Sequence, residues 1–252
     1  MEASPLGSVD KALLALDTLA GFGAAGAPLA TLAQAVGVSK PTLHRTLAAL
    51  RHRGYAEQTS DGAYRLGPAA LSLGSTYLAE ENLPALLHPA LTALSEKTDE
   101  LVHLGVLAGR EVVYLDKVEP QRAVRVWSAV GRRRAAATTA LGRALLSVQD
   151  LDEAALARYA GADAGSGSGL EHLRDALTSA RANGFAAETE ENEPGIACIA
   201  VPLLRAGRAV AAVSITAPVE RLRGAARAER VGALRSTLPG LLPAGLAVPS
   251  AP

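Results

Sequence analysis

Hydrophobic residues recur at the spacing of an α-helix over the first fifth of the chain. The pattern predicts three short helices, over residues 10–20, 29–36 and 40–53. The third helix has the clearest stripe, because Leu43, Leu47 and Leu50 stand at positions i, i+4 and i+7. Its polar residues then point outward or sideways.

Turn signals separate these helices and end the segment. Residues 37–39 form a three-residue connection in which Ser39 is a suitable N-cap for the third helix. After Gly54, residues 55–58 and 63–66 flank a turn that contains Asp61-Gly62, a dipeptide typical of β-hairpins. Helix, short turn, helix and two-stranded wing together predict a winged helix-turn-helix.

Beyond this segment the pattern changes to strands alternating with separate helices. A connecting helix is predicted over residues 69–81 and another over 90–97. Further helices are predicted over residues 140–147, 152–159, 170–183 and 221–238, and strands over 101–106, 112–114, 123–130, 196–204 and 209–216. This order predicts an α+β fold with a mostly antiparallel sheet.

Composition narrows the class of protein. The 252 residues include 25 Lys and Arg against 25 Asp and Glu, which excludes a protein that binds DNA through bulk positive charge. A single cysteine, Cys198, excludes a disulfide framework and favours the cytoplasm. The sequence shows neither a secretion signal nor an apolar run of roughly 18 residues, so we expect no membrane insertion.

The charges are unevenly placed, and the third helix is basic without a carboxylate. It carries Lys40, Arg45, Arg51 and Arg53 together with two histidines. Such a helix suits the major groove of DNA, where Lys and Arg read guanine and phosphate contacts set the register. The residues predicted to bind DNA are Lys40, Pro41, Thr42, His44, Arg45, Arg51 and, on the wing, Arg65.

At these positions the chain resembles the IclR family of bacterial transcription regulators. The similarity spans about residues 9–218, and its blocks are residues 32–47, 62–67, 114–118, 139–146 and 195–202. It implies a winged helix-turn-helix over residues 1–68, a linker helix over 69–83, a GAF-like effector domain over 84–240 and a flexible tail over 241–252. It also implies homodimers or dimers of dimers on pseudo-palindromic double-stranded operators.

The resemblance further implies a pocket for a small organic or aromatic acid in the C-terminal domain. The residues carried over to it are Ala140, Leu141, Glu188, Ile196, Cys198, Ser214 and Thr216. Amides at the start of the helix entered by Thr138-Thr139 suit a carboxylate, and the hydroxyls can donate. The chain departs from the family at Arg143, where Lys is usual, and at Glu188, where Asp is usual.

Two other functions compete with this interpretation. An enzyme would pair Cys198 with His103, or Ser214 with His172, as nucleophile and base. A sensor of small ligands would use the winged helix to contact protein instead of DNA. Because no nucleophile elbow, phosphate loop or metal-ligand spacing occurs, we expect no catalytic residues, no cofactor and no metal.

Overall fold

A computed structural model describes residues 7–80, 82–122, 126, 128–161 and 168–249. The chain falls into two compact units, Met1–Asn82 and Leu83–Pro252, and each is described by itself. No helix in these ranges is long and apolar enough to cross a membrane.

The first unit has the predicted order of three helices and a hairpin. Its elements are α1 (Gly7–Phe22), α2 (Leu29–Val36), α3 (Lys40–His52), β1 (Ala56–Gln58), β2 (Tyr64–Leu66) and α4 (Ala69–Glu80). The two strands are antiparallel and pair Glu57 with Arg65. The tight turn places Gly62 at φ 87°, a conformation that glycine adopts at little cost.

A small leucine core holds the three helices together. Leu43 and Leu47 of α3 are buried against Leu19 of α1 and Leu32 of α2. The helices therefore bury the predicted stripe, and the opposite side of α3 is left to solvent.

The second unit is a sheet with helices on both faces. Its elements are α5 (Leu83–Thr98), β3 (Leu101–Ala108), β4 (Glu111–Val118), β5 (Arg133–Ala135), α6 (Ala140–Ser147), α7 (Glu153–Ala160), α8 (Ser168–Asn183), β6 (Ala186–Thr189), β7 (Ile196–Arg205), β8 (Arg208–Pro218), α9 (Gly224–Thr237) and β9 (Leu246–Ala247). In the described ranges the strand order is β5-β4-β3-β8-β7-β6, and β9 also pairs with β7. Each of these pairs is antiparallel, which confirms the predicted α+β class.

Alternation along the strands divides the sheet into two faces. On one face, Val213 and Ile215 pack with leucines of α5 and α9. On the other face, Ala200 and Ala212 pack with α6, α7 and α8. The second face also carries the polar residues described below, because Ser214 and Thr216 alternate with the valine and isoleucine.

Three expectations differ from the structure. The helix predicted over residues 90–97 begins earlier, at Leu83, because Pro84 lies in its first turn where no amide donor is needed, and the helix continues through Pro89. The strand predicted over residues 123–130 falls partly outside the described residues. Residues 126 and 128–130, which are described, are not in a strand, and β5 begins at Arg133. Residues 241–249 are not wholly a tail, because Leu246 is buried and its strand pairs with β7.

Candidate DNA-binding surface and effector site

Local capping fixes where α3 begins. The Ser39 hydroxyl accepts a hydrogen bond from Thr42 N at 3.4 Å, and Pro41 occupies the first turn. Gly37 ends α2 in the left-handed conformation, and Val38 N donates to Ala33 O at 3.0 Å. The predicted three-residue turn is thus held at both ends.

The residues at the start of α3 are presented to solvent. Lys40, Pro41, His44 and Arg45 are exposed, and Thr42 is half-buried. The Thr42 hydroxyl lies 2.8 Å from Ser39 Oγ, so this side chain also belongs to the cap. With no carboxylate between Lys40 and His52, the outer face has the composition that a major-groove helix needs.

Two of the predicted cations are engaged with the wing. Arg51 Nη1 donates to Gln58 Oε1 at 3.0 Å, and Gln58 Nε2 donates to Gly62 O at 3.1 Å. Arg65 Nε pairs with Glu57 Oε1 at 2.5 Å. Arg51 and Arg65 therefore brace the hairpin, unlike the side chains at the start of α3. Sequence reasoning missed Gln58 and Glu57, although the hairpin register places Glu57 opposite Arg65.

The polar face of the second unit is built by strand register. Glu188 pairs with Cys198 across β6 and β7, and Cys198 pairs with Thr216 across β7 and β8. On β3, His103 lies opposite Ser214. The register therefore brings four of the predicted effector residues together on one face, from segments far apart in the chain.

Helix α6 covers this face. Ala140 and Leu141 are buried in its first turn, and Thr139 Oγ1 accepts from Gly142 N at 3.1 Å. A Cβ at Gly105 would lie 3.1 Å from Leu141 Cδ1, so the helix packs directly on β3. Since the cap binds Gly142 N, the amides of Ala140 and Leu141 are the ones left without an acceptor within the helix, which makes this end suitable for an anion.

Ile196 lies at the edge of this arrangement. It is half-buried at the start of β7, pairs with Pro218, and its carbonyl accepts from Glu190 N at 2.7 Å. It shares a strand face with Cys198 two residues later. It therefore occupies the rim, while the other predicted effector residues lie further in.

A buried histidine joins the polar face. His103 lies 2.7 Å from Ser128 Oγ through Nε2 and 3.4 Å from Thr216 Oγ1 through Nδ1, and its ring centroid is 4.6 Å from that of Tyr114. Desolvation, reinforced by the charges of Lys117 and Arg132, lowers the pKa of His103 to about 3. The ring is therefore neutral at physiological pH. The sequence singled out His103 only as the base of the enzyme alternative, and nothing in it indicated Tyr114 or Ser128 as neighbours of this ring.

Burial also sets the titration of two predicted effector residues. Desolvation raises the pKa of Glu188, although Glu191 N and Asn192 N donate to its Oε2 at 3.1 and 3.5 Å. Desolvation, followed by the negative charge of Glu188, raises the pKa of the Cys198 thiol well above its ordinary range. The thiol is consequently a poor nucleophile at neutral pH.

The nucleophile and base pairs of the enzyme alternative are not assembled. Cys198 Sγ lies 3.2 Å from Thr216 Oγ1, and this hydroxyl stands between the thiol and His103. His172 is exposed and pairs with Glu191 at 2.8 Å, whereas Ser214 Oγ is buried and has no hydrogen-bond partner among the described residues. The described residues also contain no cluster suited to a metal ion.

Comparison with known proteins supplies the function class. Family models described as the IclR helix-turn-helix domain and the IclR C-terminal domain of bacterial transcriptional regulators match residues 8–60 and 75–238. The HTH-type transcriptional regulator XynR of Escherichia coli is 34% identical over 85% of this chain and 87% of its own length. The glycerol operon regulatory protein of Streptomyces coelicolor is 34% identical over 90% of this chain and 92% of its own.

Solved structures agree on the fold. A crystal structure of an IclR transcriptional regulator from Alicyclobacillus acidocaldarius has a TM-score of 0.72, at 24% identity over 93% of this chain and 96% of that one. An IclR homologue from Microbacterium hydrocarbonoxydans, complexed with 4-hydroxybenzoate, has a TM-score of 0.70, at 22% identity over 91% and 97%. Since its relatives are regulators and repressors, the enzyme alternative is excluded. The chain belongs to the IclR family of bacterial transcriptional regulators, with an N-terminal helix-turn-helix and a C-terminal effector-binding domain.

Proposed function

We propose that this regulator reads a pseudo-palindromic operator as a homodimer or a dimer of dimers, and that a small organic or aromatic acid changes its operator affinity. The observation that carries the proposal is the exposed, carboxylate-free start of α3, held outward by the buried Leu43 and Leu47. We assign base reading to Lys40, Thr42, His44 and Arg45, with Pro41 approaching the backbone. We place the protein in the cytoplasm, with its DNA.

Arg51 and Arg65 receive a different role in this proposal. Because each already contacts a wing residue, they approach phosphates while keeping the hairpin in place. Their loss then weakens binding to all sequences alike, whereas loss of Arg45 changes the preferred base.

Exposed apolar side chains on two helices support self-association of the first unit. On α1, Val9 and Leu13 are 52% and 57% exposed at i and i+4. On α4, Leu71 and Leu73 are 73% and 61% exposed. A second copy of the chain would remove these side chains from water, and two reader helices would double the base contacts.

The effector proposal rests on the polar face of the second unit. Glu188, Cys198, Ser214 and Thr216 lie beside the first turn of α6, which supplies Ala140 and Leu141, with Ile196 at the rim. The Microbacterium homologue is complexed with an aromatic acid, 4-hydroxybenzoate. We therefore propose a carboxylate near the α6 amides and an apolar body against Leu141.

Titration of DNA from the protein's own upstream region tests the DNA-binding proposal. We expect affinity to fall steeply with salt, and Arg45→Ala to cost about 1 kcal/mol or more and relax one operator position. Arg174→Ala, on the exposed face of α8, is the matched control and should leave binding unchanged. Equal affinity and base preference in wild type and Arg45→Ala would contradict the assignment.

The thermodynamic linkage between effector binding and operator binding tests the effector proposal. A panel of small carboxylic acids is screened by thermal shift, because a ligand that binds only the folded state raises Tm. The affinity of any acid found is then measured with and without operator, and the two values must differ by the factor by which the acid changes operator affinity. Identical values would show that the acid is not the regulatory effector.

A further inference from the structure

Arg143 of α6 is a buried cation that joins three segments. It is 2% exposed, and Nε donates to Ala137 O at 2.8 Å, just before the helix. Nη1 donates to Ala187 O of β6 at 3.0 Å and to Glu191 Oε1 at 2.7 Å, and Nη2 donates to Glu191 Oε2. The guanidinium therefore fixes the loop after β6 against the helix that covers the proposed effector site.

That loop in turn holds one oxygen of Glu188. Glu191 N and Asn192 N both donate to Glu188 Oε2, so the loop backbone sets the orientation of this carboxyl group. The other oxygen, Oε1, is buried in a residue that is 3% exposed, and no nitrogen or oxygen of the described residues donates to it. The neighbouring donor on the paired strand is the Cys198 thiol, which is a weak one. A buried acceptor left unpaired is costly, and a ligand that donates to it would remove the cost.

We propose that Arg143, acting through Glu191 and its loop, is a positioning residue that keeps Glu188 Oε1 directed at a hydrogen-bond donor of the effector. This inference rests on the proposed effector function and narrows the effector class to acids that also carry a hydroxyl group. Because Glu188 is itself acidic, it repels the effector carboxylate and leaves it to the α6 amides. The hydroxyl end then lies at Glu188, next to Cys198 and on the face of the sheet that also carries Ser214 and Thr216.

Arginine is specifically suited to this task. Its planar guanidinium makes two parallel bonds to the Glu191 carboxylate while it donates to two carbonyl oxygens. Lysine has three donors on a single nitrogen and lacks the bidentate geometry. Arg143→Lys therefore retains the charge and loses the geometry.

Hydrogen exchange of the ligand-free protein gives the first test. We expect the segment 189–195 to exchange about tenfold faster in Arg143→Lys, because the amides that bind Glu188 open more often. Arg174→Lys is the matched control, since Arg174 pairs with Glu153 on the exposed surface, and it should leave this segment unchanged. Equal exchange in wild type and Arg143→Lys would overturn the positioning role.

Ligand preference gives the second test, with 4-hydroxybenzoate and benzoate as probes that differ by one hydroxyl group. We expect wild type to prefer the hydroxy acid, and the preference to fall about fivefold or more in Arg143→Lys and, more mildly, in Glu191→Gln. Equal affinity of wild type for both acids, or an unchanged preference in Arg143→Lys, would overturn the inference. If neither acid binds wild type, this narrowed effector class is wrong, and the exchange experiment still decides the role of Arg143.

Discussion

Arg65 and Glu57 face each other across the two strands of the wing, and their side chains form an ion pair of 2.5 Å. Both are partly exposed, at 42% and 43%, so the pair adds little to the stability of the fold. Its larger effect is electrostatic, because Glu57 offsets the charge of a cation proposed to approach DNA phosphates. The carboxylate therefore limits how strongly the wing attracts the operator.

Glu57→Gln should consequently strengthen DNA binding. We expect DNA affinity to rise about threefold at low salt, with little change in unfolding free energy. The slope of the log binding constant against log salt concentration should become steeper by up to about one. Arg65→Gln should shift affinity and slope in the opposite direction. Fluorescence anisotropy at several salt concentrations measures both. Weaker binding by Glu57→Gln would show that orientation of Arg65 by the pair matters more to DNA affinity than the charge that Glu57 offsets.

Gly142 should tolerate no side chain, because it lies where α6 packs on the segment before it. A Cβ there would lie 2.2 Å from Ala136 O, a backbone atom that cannot yield. We expect Gly142→Ala to cost about 2 kcal/mol or more in unfolding free energy. Gly232→Ala is the control, since it is exposed within α9 with nothing within 4 Å of its Cβ, and should stabilise by about 0.4–1 kcal/mol. Urea unfolding measures the change in unfolding free energy for both variants, and equal changes would contradict the packing argument.

The sequence predicted those parts of the structure that local pattern controls. The spacing of Leu43, Leu47 and Leu50 identified the buried side of α3, and Asp61-Gly62 located the wing. In the second unit, the strands predicted over residues 101–106, 196–204 and 209–216 indicated a sheet, but composition and spacing alone could not show which strands are neighbours. The assignment of residues to DNA or effector contact stays a prediction.

Long-range pairing accounts for what the sequence could not supply. Glu188, Cys198 and Thr216 form one row only because β6, β7 and β8 pair in a particular register. The contact of His103 with Ser128 and the bonds of Arg143 to Glu191 likewise join residues far apart in the chain. Such contacts depend on how the whole domain packs, and no short motif encodes them.

Cys198 should react slowly with thiol reagents at neutral pH. Desolvation and the charge of Glu188 raise its pKa, so little thiolate is present. Glu188→Gln removes the charge and should accelerate the reaction with Ellman's reagent several-fold. Because Cys198 is the only cysteine in the chain, the signal needs no deconvolution. Glu153→Gln, on the exposed surface of α7, is the control and should match wild type. If Glu188→Gln reacted at the wild-type rate, the charge of Glu188 would not be what raises the pKa of the thiol.

The buried His103 should make the protein less stable in acid. Its pKa falls from 6.5 to about 3 on folding, so between these values the unfolded chain binds a proton that the folded chain does not. Stability is therefore lost as the pH is lowered through this window, by at most about 1.4 kcal/mol per pH unit. Glu188 acts with the opposite sign, since its pKa is raised and the folded state binds its proton more tightly.

Two variants separate these opposing contributions between pH 7 and 4.5. His103→Gln should be less stable than wild type at pH 7, because it loses the contact with Tyr114. Its stability should depend less steeply on pH, so the difference from wild type should shrink as the pH is lowered. The stability of Glu188→Gln should depend more steeply on pH than that of wild type, because the opposing contribution of Glu188 is removed. Urea unfolding at intervals of half a pH unit gives the slopes. If His103→Gln retained the slope of wild type, His103 would titrate alike in the folded and unfolded chain, and the neutral, hydrogen-bonded ring would lose its part in the acid sensitivity.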